Sequence, residues 1–200
     1  MDSVPSPDPV YLSDTVTRAV KIVITGHFGV GKTTLVNTLS EIRPLHTEEV
    51  MTQAGEGIDD LTGTQGKTTT TVAMDFGRLT VSDSLVLYLF GAPGQERFMP
   101  LWKDMTQGAL GALVLADTRW LDRSFPVMDL LEERGLAYAV AVNHFADSPD
   151  VPEEEIREAL DLLPETPLVV CDARDRASAF RALIALVQYL LTRTTVQEAV

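Results

Sequence analysis

The stretch Gly26-His27-Phe28-Gly29-Val30-Gly31-Lys32-Thr33 constrains this chain more than any other. It follows the spacing G-x-x-x-x-G-K-[ST] and lies between a β-branched run, Val20, Ile22, Val23 and Ile24, and a helical stretch at 33–40. In that strand-turn-helix context Gly29 and Gly31 let successive backbone N–H groups curl toward phosphate, and the helix start adds partial positive charge. Lys32 is expected to reach the β and γ phosphates, and Thr33 to offer its hydroxyl to Mg2+. The phosphate cradle is therefore read as Gly26, His27, Phe28, Gly29, Val30, Gly31, Lys32, Thr33 and Thr34. Two readings of Phe28 stand open: it crowds the edge of the γ-phosphate, or it packs beneath neighbouring loops.

Further short apolar runs recur at 85–90, 109–116, 137–142 and 168–171, and helical stretches are read at 125–134, 152–162 and 177–191. Such alternation implies parallel strands joined by crossover helices, with the ligand crevice at the strand ends beside the turns. A strand at 71–80 is expected to form a hairpin with 85–90 around Ser82-Asp83. The stretch 41–70 has no periodicity and reads as a long loop. Pro5, Pro7 and Pro9 among Ser and Asp mark residues 1–18 as a flexible tail, leaving a domain at 19–192 and a short C-terminal tail at 193–200.

A formal net charge of −13 argues against duplex nucleic acid as a partner, since phosphate backbones demand a surplus of Lys and Arg. A nucleotide is compatible with that charge, because a few amides and one Lys supply the local field. Cys171 is the only cysteine, which excludes an internal disulfide and fits a reducing cytoplasm. No apolar run approaches the roughly 20 residues of a membrane span. Asp2 stands where myristoylation needs glycine, and the C-terminal Gln197-Glu198-Ala199-Val200 has no prenylation cysteine. Membrane association is expected only through partners.

The run Phe90-Gly91-Ala92-Pro93-Gly94-Gln95-Glu96-Arg97-Phe98 resembles switch II of the Ras-like small GTPases, and the chain is similar to them over about residues 20 to 190. The Gly-Ala-Pro-Gly-Gln form, the block from Lys67 to Gly77 and Cys171-Asp172-Ala173-Arg174-Asp175 resemble a bacterial subgroup related to the gliding-motility switch. Within it they look like the conservon GTP/ATP-binding proteins. The resemblance implies an α/β fold, a P-loop NTPase with a Ras-like six-stranded, mostly parallel sheet flanked by helices. It implies slow GTP hydrolysis with GTP/GDP and Mg2+ as cofactors, Gln95 and Lys32 as catalytic residues, and a Gly94 N–H toward the γ-phosphate. Gly91 departs from the family, which has there the Asp that helps hold Mg2+. Thr71 fits the register of the switch I threonine that joins Thr33 on the metal, with Thr70 as the alternative.

For the base, the family uses Asn-Lys-x-Asp; this chain has Asn143-His144-Phe145-Ala146-Asp147, with Asp147 one residue late. Asp172, Ala173 and Arg174 occupy the position of the family's Ser-Ala-Lys, so the Ala173 N–H is expected at the guanine O6 and Arg174 over the base. The choice of base stays open at this point. An arginine finger is worth about 10³ to 10⁵ in rate, and Arg78 and Arg97 are its candidates in cis, though each also reads as a strand or switch surface residue. A roadblock-fold regulatory protein and a sensor-kinase complex are the implied partners, with the 42–70 loop and 95–102 as their surface; the apolar cluster Phe98, Met99, Leu101 and Trp102 reads either as part of that surface or, for about half of it, as buried under the sheet. Two other readings remain, a nucleotide-bound interaction module that scarcely hydrolyses and a P-loop ATPase or kinase.

Overall fold

The protein is described from a computed structural model over residues 12–51, 70–94 and 99–197. Seven strands and five α-helices alternate along it. They are β1 (Arg18–Thr25), α1 (Lys32–Leu39), β2 (Leu45–Met51), β3 (Thr70–Ser82), β4 (Leu85–Gly91), α2 (Met99–Thr106), β5 (Ala109–Ala116), α3 (Phe125–Glu133), β6 (Tyr138–Asn143), α4 (Glu153–Ala159), β7 (Leu168–Cys171) and α5 (Arg176–Gln197). The sheet order is β2-β3-β4-β1-β5-β6-β7. β1, β4, β5, β6 and β7 run parallel, and β3 pairs antiparallel with β4 through the hairpin at 82–85. These six make the mostly parallel sheet that the alternation predicts.

A seventh strand was not legible. β2 pairs antiparallel with β3 at the sheet edge, Leu45 opposite Phe76 through Met51 opposite Thr70, inside the stretch read as loop. Its sequence, Leu-His-Thr-Glu-Glu-Val-Met, is charged in the manner of edge strands and lacks the apolar signature of a central one. The preceding turn is fastened by Glu41, whose carboxylate accepts from Arg78 Nε at 2.9 Å, Thr80 Oγ1 at 2.6 Å and Thr80 N at 3.0 Å. Residues 52–69 lie outside the described residues.

Regular elements reach beyond both bounds of the domain read at 19–192. β1 begins at Arg18, and the Thr17 and Arg18 amides donate to the Ser84 carbonyl at 3.1 and 2.9 Å, so the chain before residue 19 is already docked on the hairpin. At the other end α5 continues through Gln197. Thr192, the last residue read as domain, and Arg193, the first read as tail, donate back to the Tyr189 carbonyl (2.7 Å) and hydroxyl (3.0 Å) within the same helix.

The alternation of each strand splits the core between two faces. Ile22, Ile24, Leu89, Leu113 and Leu115 pack on α1 and α5 through Leu35, Leu39, Leu183 and Leu186. Val23, Val114, Val140 and Val142 pack on the other helices through Val127, Leu131, Ile156 and Trp102. β1 stands where the order of strands reverses, with β4 on one side and β5 on the other. A parallel sheet places its crevice there, beyond the carboxyl ends of the strands.

Candidate functional site

The loop after β1 is built by backbone conformations that only glycine adopts freely. Gly26, Gly29 and Gly31 have φ of 133°, 81° and 105°. A side chain at Gly26 would run into the Leu115 carbonyl oxygen, and one at Gly31 would come within 2.6 Å of Asn143 Nδ2. α1 starts directly after, with Gly31 as its N-cap. Asn143, at the end of β6, ties the loop to its neighbours: Nδ2 donates to the Val30 carbonyl and Oδ1 accepts from the Ala173 N–H, each at 2.9 Å.

Lys32 is buried and donates to the Gly26 and His27 carbonyls at 2.9 and 2.7 Å. Burial pushes its pKa down to about 8, against a smaller opposing pull from the Asp75 charge. Gly94 lies against the same loop; a Cβ there would approach Lys32 Nζ at 2.5 Å and the Phe28 N at 2.6 Å. The start of the expected switch II thus sits on the phosphate cradle, while Gln95, Glu96, Arg97 and Phe98 lie outside the described residues. His27 shares its Nδ1 with the Phe28 carbonyl at 2.7 Å, and burial lowers its pKa. Phe28 itself is 72% exposed, which excludes packing beneath a neighbouring described loop.

The residue that sequence reasoning missed is Asp75. Its Oδ2 accepts from Thr33 Oγ1 at 2.6 Å, and the residue is buried in the middle of β3. Asp75 stands opposite Gly91 in the β3–β4 register. A Cβ on Gly91 would come to 2.9 Å from both Asp75 Cβ and Oδ2, so the carboxylate fills the room that a side chain at 91 would need. The only sequence signal was an acid in a β-forming run, Val72-Ala73-Met74-Asp75-Phe76. Thr71 belongs to β3, opposite Val50, and its side chain, like that of Thr70, lies outside the described residues.

On the loops expected to meet the base, three of the expected residues have partners within the chain. The Ala173 N–H expected at O6 donates instead to Asn143 Oδ1. Asp147 is 72% exposed at its side chain and bound by Arg119 NH1 at 2.6 Å. Arg174 folds onto Asp172, with Nε and NH2 donating to Oδ1 and Oδ2 at 2.9 and 2.8 Å, and that partner holds the Asp172 carboxyl down at about 2. Asp147 and Arg174 each pair with a nearby opposite charge, Arg119 and Asp172. Two residues that the sequence left with two readings take the packing one. Arg78 is 7% exposed and forms a strut to Glu41, so it cannot reach phosphate as a finger. Trp102, read as part of a partner surface, is 5% exposed and packs under the sheet with Val114 and Val140. The side chains of Met99 and Leu101 lie outside the described residues.

The central parallel sheet, the glycine loop at its switch point and the buried lysine behind it define a P-loop nucleotide-binding protein with the G-domain fold. Residues 24–193 match the family described as conserved hypothetical ATP binding protein, and the chain belongs to that family. No curated protein matches it. Among solved structures it is similar to the G domain of the T. maritima FeoB iron transporter, at 19% identity and TM-score 0.58, covering 86% of this chain and 99% of that one. The cytosolic domain of the T. maritima transporter in a GDP form gives 18% identity and TM-score 0.60, over 87% of this chain and 64% of the other. The FeoB G-domain from Methanococcus jannaschii gives 13% and 0.59, over 87% and 99%. At these identities the likeness is one of fold.

Proposed function

We propose that this protein is a nucleotide-operated switch that binds a nucleoside triphosphate with Mg2+ and hydrolyses it slowly, with GTP the nucleotide its Ras-like motifs lead one to expect. The observation that carries the reading is the juxtaposition of Lys32, Thr33 and Asp75 at the mouth of the glycine loop, with the Asp75 carboxylate 2.6 Å from the Thr33 hydroxyl. The donor set fits a hard divalent cation, which takes oxygen ligands and keeps several waters. Thr33 would hold it with Asp75 behind, in place of the carboxylate absent at Gly91, and Thr71 is the further hydroxyl proposed for it. When bound, the metal neutralises charge on the phosphate oxygens.

The remaining roles fall to the chain's own groups. Lys32 leaves the Gly26 and His27 carbonyls to neutralise charge on the terminal phosphates, and the loop amides hold them by hydrogen bonds. Gly94, already against Phe28 and Lys32, offers its N–H to the γ-phosphate, and Gln95 orients the attacking water. A segment ordered by the terminal phosphate and released on hydrolysis is the usual basis of such a switch. The resemblance to the bacterial conservon proteins supports a roadblock-fold regulator and a sensor-kinase complex as its readers. The GDP form of one fold neighbour is consistent with a nucleotide here.

The test is binding of a fluorescent GDP analogue with Mg2+ to the purified chain and to Lys32→Ala. Saturable binding lost in the variant is the expected result; absence of binding to the unaltered protein overturns the reading. Single-turnover phosphate release should then slow in Gln95→Leu, and an unchanged rate would remove Gln95 from the mechanism.

A further inference from the structure

Guanine presents two N–H groups beside its O6 acceptor, whereas adenine presents a ring acceptor beside its amino donor. A site favours guanine strongly only when a fixed acceptor pair, such as a carboxylate, faces those N–H groups; unmatched polar edges are what reject the other base. Stacking alone tolerates either purine.

Three carboxylates on the loops after β5, β6 and β7, those of Asp117, Asp147 and Asp172, are committed to arginines. Asp117 is fully buried and gripped by Arg119, with Nε 2.9 Å from Oδ1 and NH2 2.6 Å from Oδ2. Burial pushes the Asp117 carboxyl up, but the Arg119 hydrogen bonds outweigh it and hold the group below the usual carboxylate range. From that anchor Arg119 lies 4.1 Å from the centre of the Phe145 ring and donates through NH1 to Asp147. Asp172 has both oxygens on Arg174. Ala146, the third residue after Asn143, has no polar side chain.

We infer that this site accepts purine nucleoside triphosphates without selecting guanine over adenine, and that Arg119, itself held between the buried Asp117 and the Phe145 ring, is the residue that withholds Asp147 from the base. The inference rests on the nucleotide-binding reading above and widens its base from guanine to either purine. Phosphate contacts then supply most of the affinity, and the base contributes through stacking.

The experiment is competition of GTP and ATP, with Mg2+, against a fluorescent GDP analogue on the full chain, with Ala146→Asp and Arg119→Lys alongside. For the unaltered protein the two dissociation constants should agree within about threefold, far from the roughly 10⁴ that a matched polar site achieves. Ala146→Asp places a carboxylate at the vacant position and should move the ratio toward GTP by about tenfold or more. Arg119→Lys keeps a cation for Asp117 but cannot grip two carboxylates, so release of Asp147 should move the ratio the same way by a smaller factor. A GTP preference above about tenfold in the unaltered protein overturns the inference while leaving the nucleotide reading intact. A ratio unmoved by Arg119→Lys in folded protein, judged by its thermal melt, overturns the role of Arg119. Failure of both nucleotides to compete overturns the nucleotide reading and this inference with it.

Discussion

Asp75 and Gly91 are complementary across the β3–β4 ladder: the carboxylate of one occupies the volume where the other has no side chain, 2.9 Å from its would-be Cβ. An acid has in effect moved one strand over while still facing Thr33. Asp75→Asn keeps the shape and removes the charge, so the Mg2+ concentration needed to retain bound nucleotide should rise by about 10- to 100-fold, the usual effect of losing a supporting ligand. Titrating Mg2+ against release of a fluorescent nucleotide reads this directly.

Gly91→Asp, which would install the acid the Ras-like family carries there, should not improve metal binding. The new side chain meets Asp75, and overpacking costs about 1–3 kcal/mol before the repulsion of two carboxylates is added. A urea unfolding midpoint equal to that of the unaltered protein would disprove the clash.

Lys32, held down to about 8 by burial, gives nucleotide binding a pH signature. Because its folded-state value lies below the ordinary 10.5, the unfolded chain binds more protons between those two values. Ligand-free stability should therefore rise with pH through that window. Phosphate charge favours the ammonium form and raises the pKa again. Calorimetric binding at pH 8.5–9, compared across buffers of different ionisation enthalpy, should report proton uptake that is nearly absent at pH 6.5.

Asn143→Ala should destabilise the domain as well as the site. Truncation leaves the buried Val30 carbonyl and Ala173 N–H without their partner, at about 1–3 kcal/mol each. Chemical denaturation measures the loss, and a change under about 0.5 kcal/mol would show that water replaces the amide.

Cys171 should be inert. It is 2% exposed, and burial pushes its thiol up to about 12, so the nucleophilic thiolate is scarce at neutral pH. Iodoacetamide should label it only after unfolding; rapid labelling of native protein would contradict the packing of β7.

Where a feature depends on neighbours in the chain, the sequence was sufficient. Gly26, Gly29 and Gly31 write a loop whose backbone angles only glycine tolerates, and the apolar runs of β5 and β6 write largely buried parallel strands because both their faces must be covered. The hairpin and most helices followed from the same local rules. Where a feature depends on residues distant in the chain, the sequence was silent. β2 is a strand because β3 lies beside it, not because its charged residues favour one. Asp75 and Thr33 are 42 positions apart and Arg119 and Asp147 are 28 apart, and no periodicity links such pairs. Spacing along the chain thus determined that phosphate has a cradle here. Only the packing of strands beside one another decided which carboxylate backs its hydroxyl and which arginine pairs with Asp147, because charges pair with whatever the fold brings within reach.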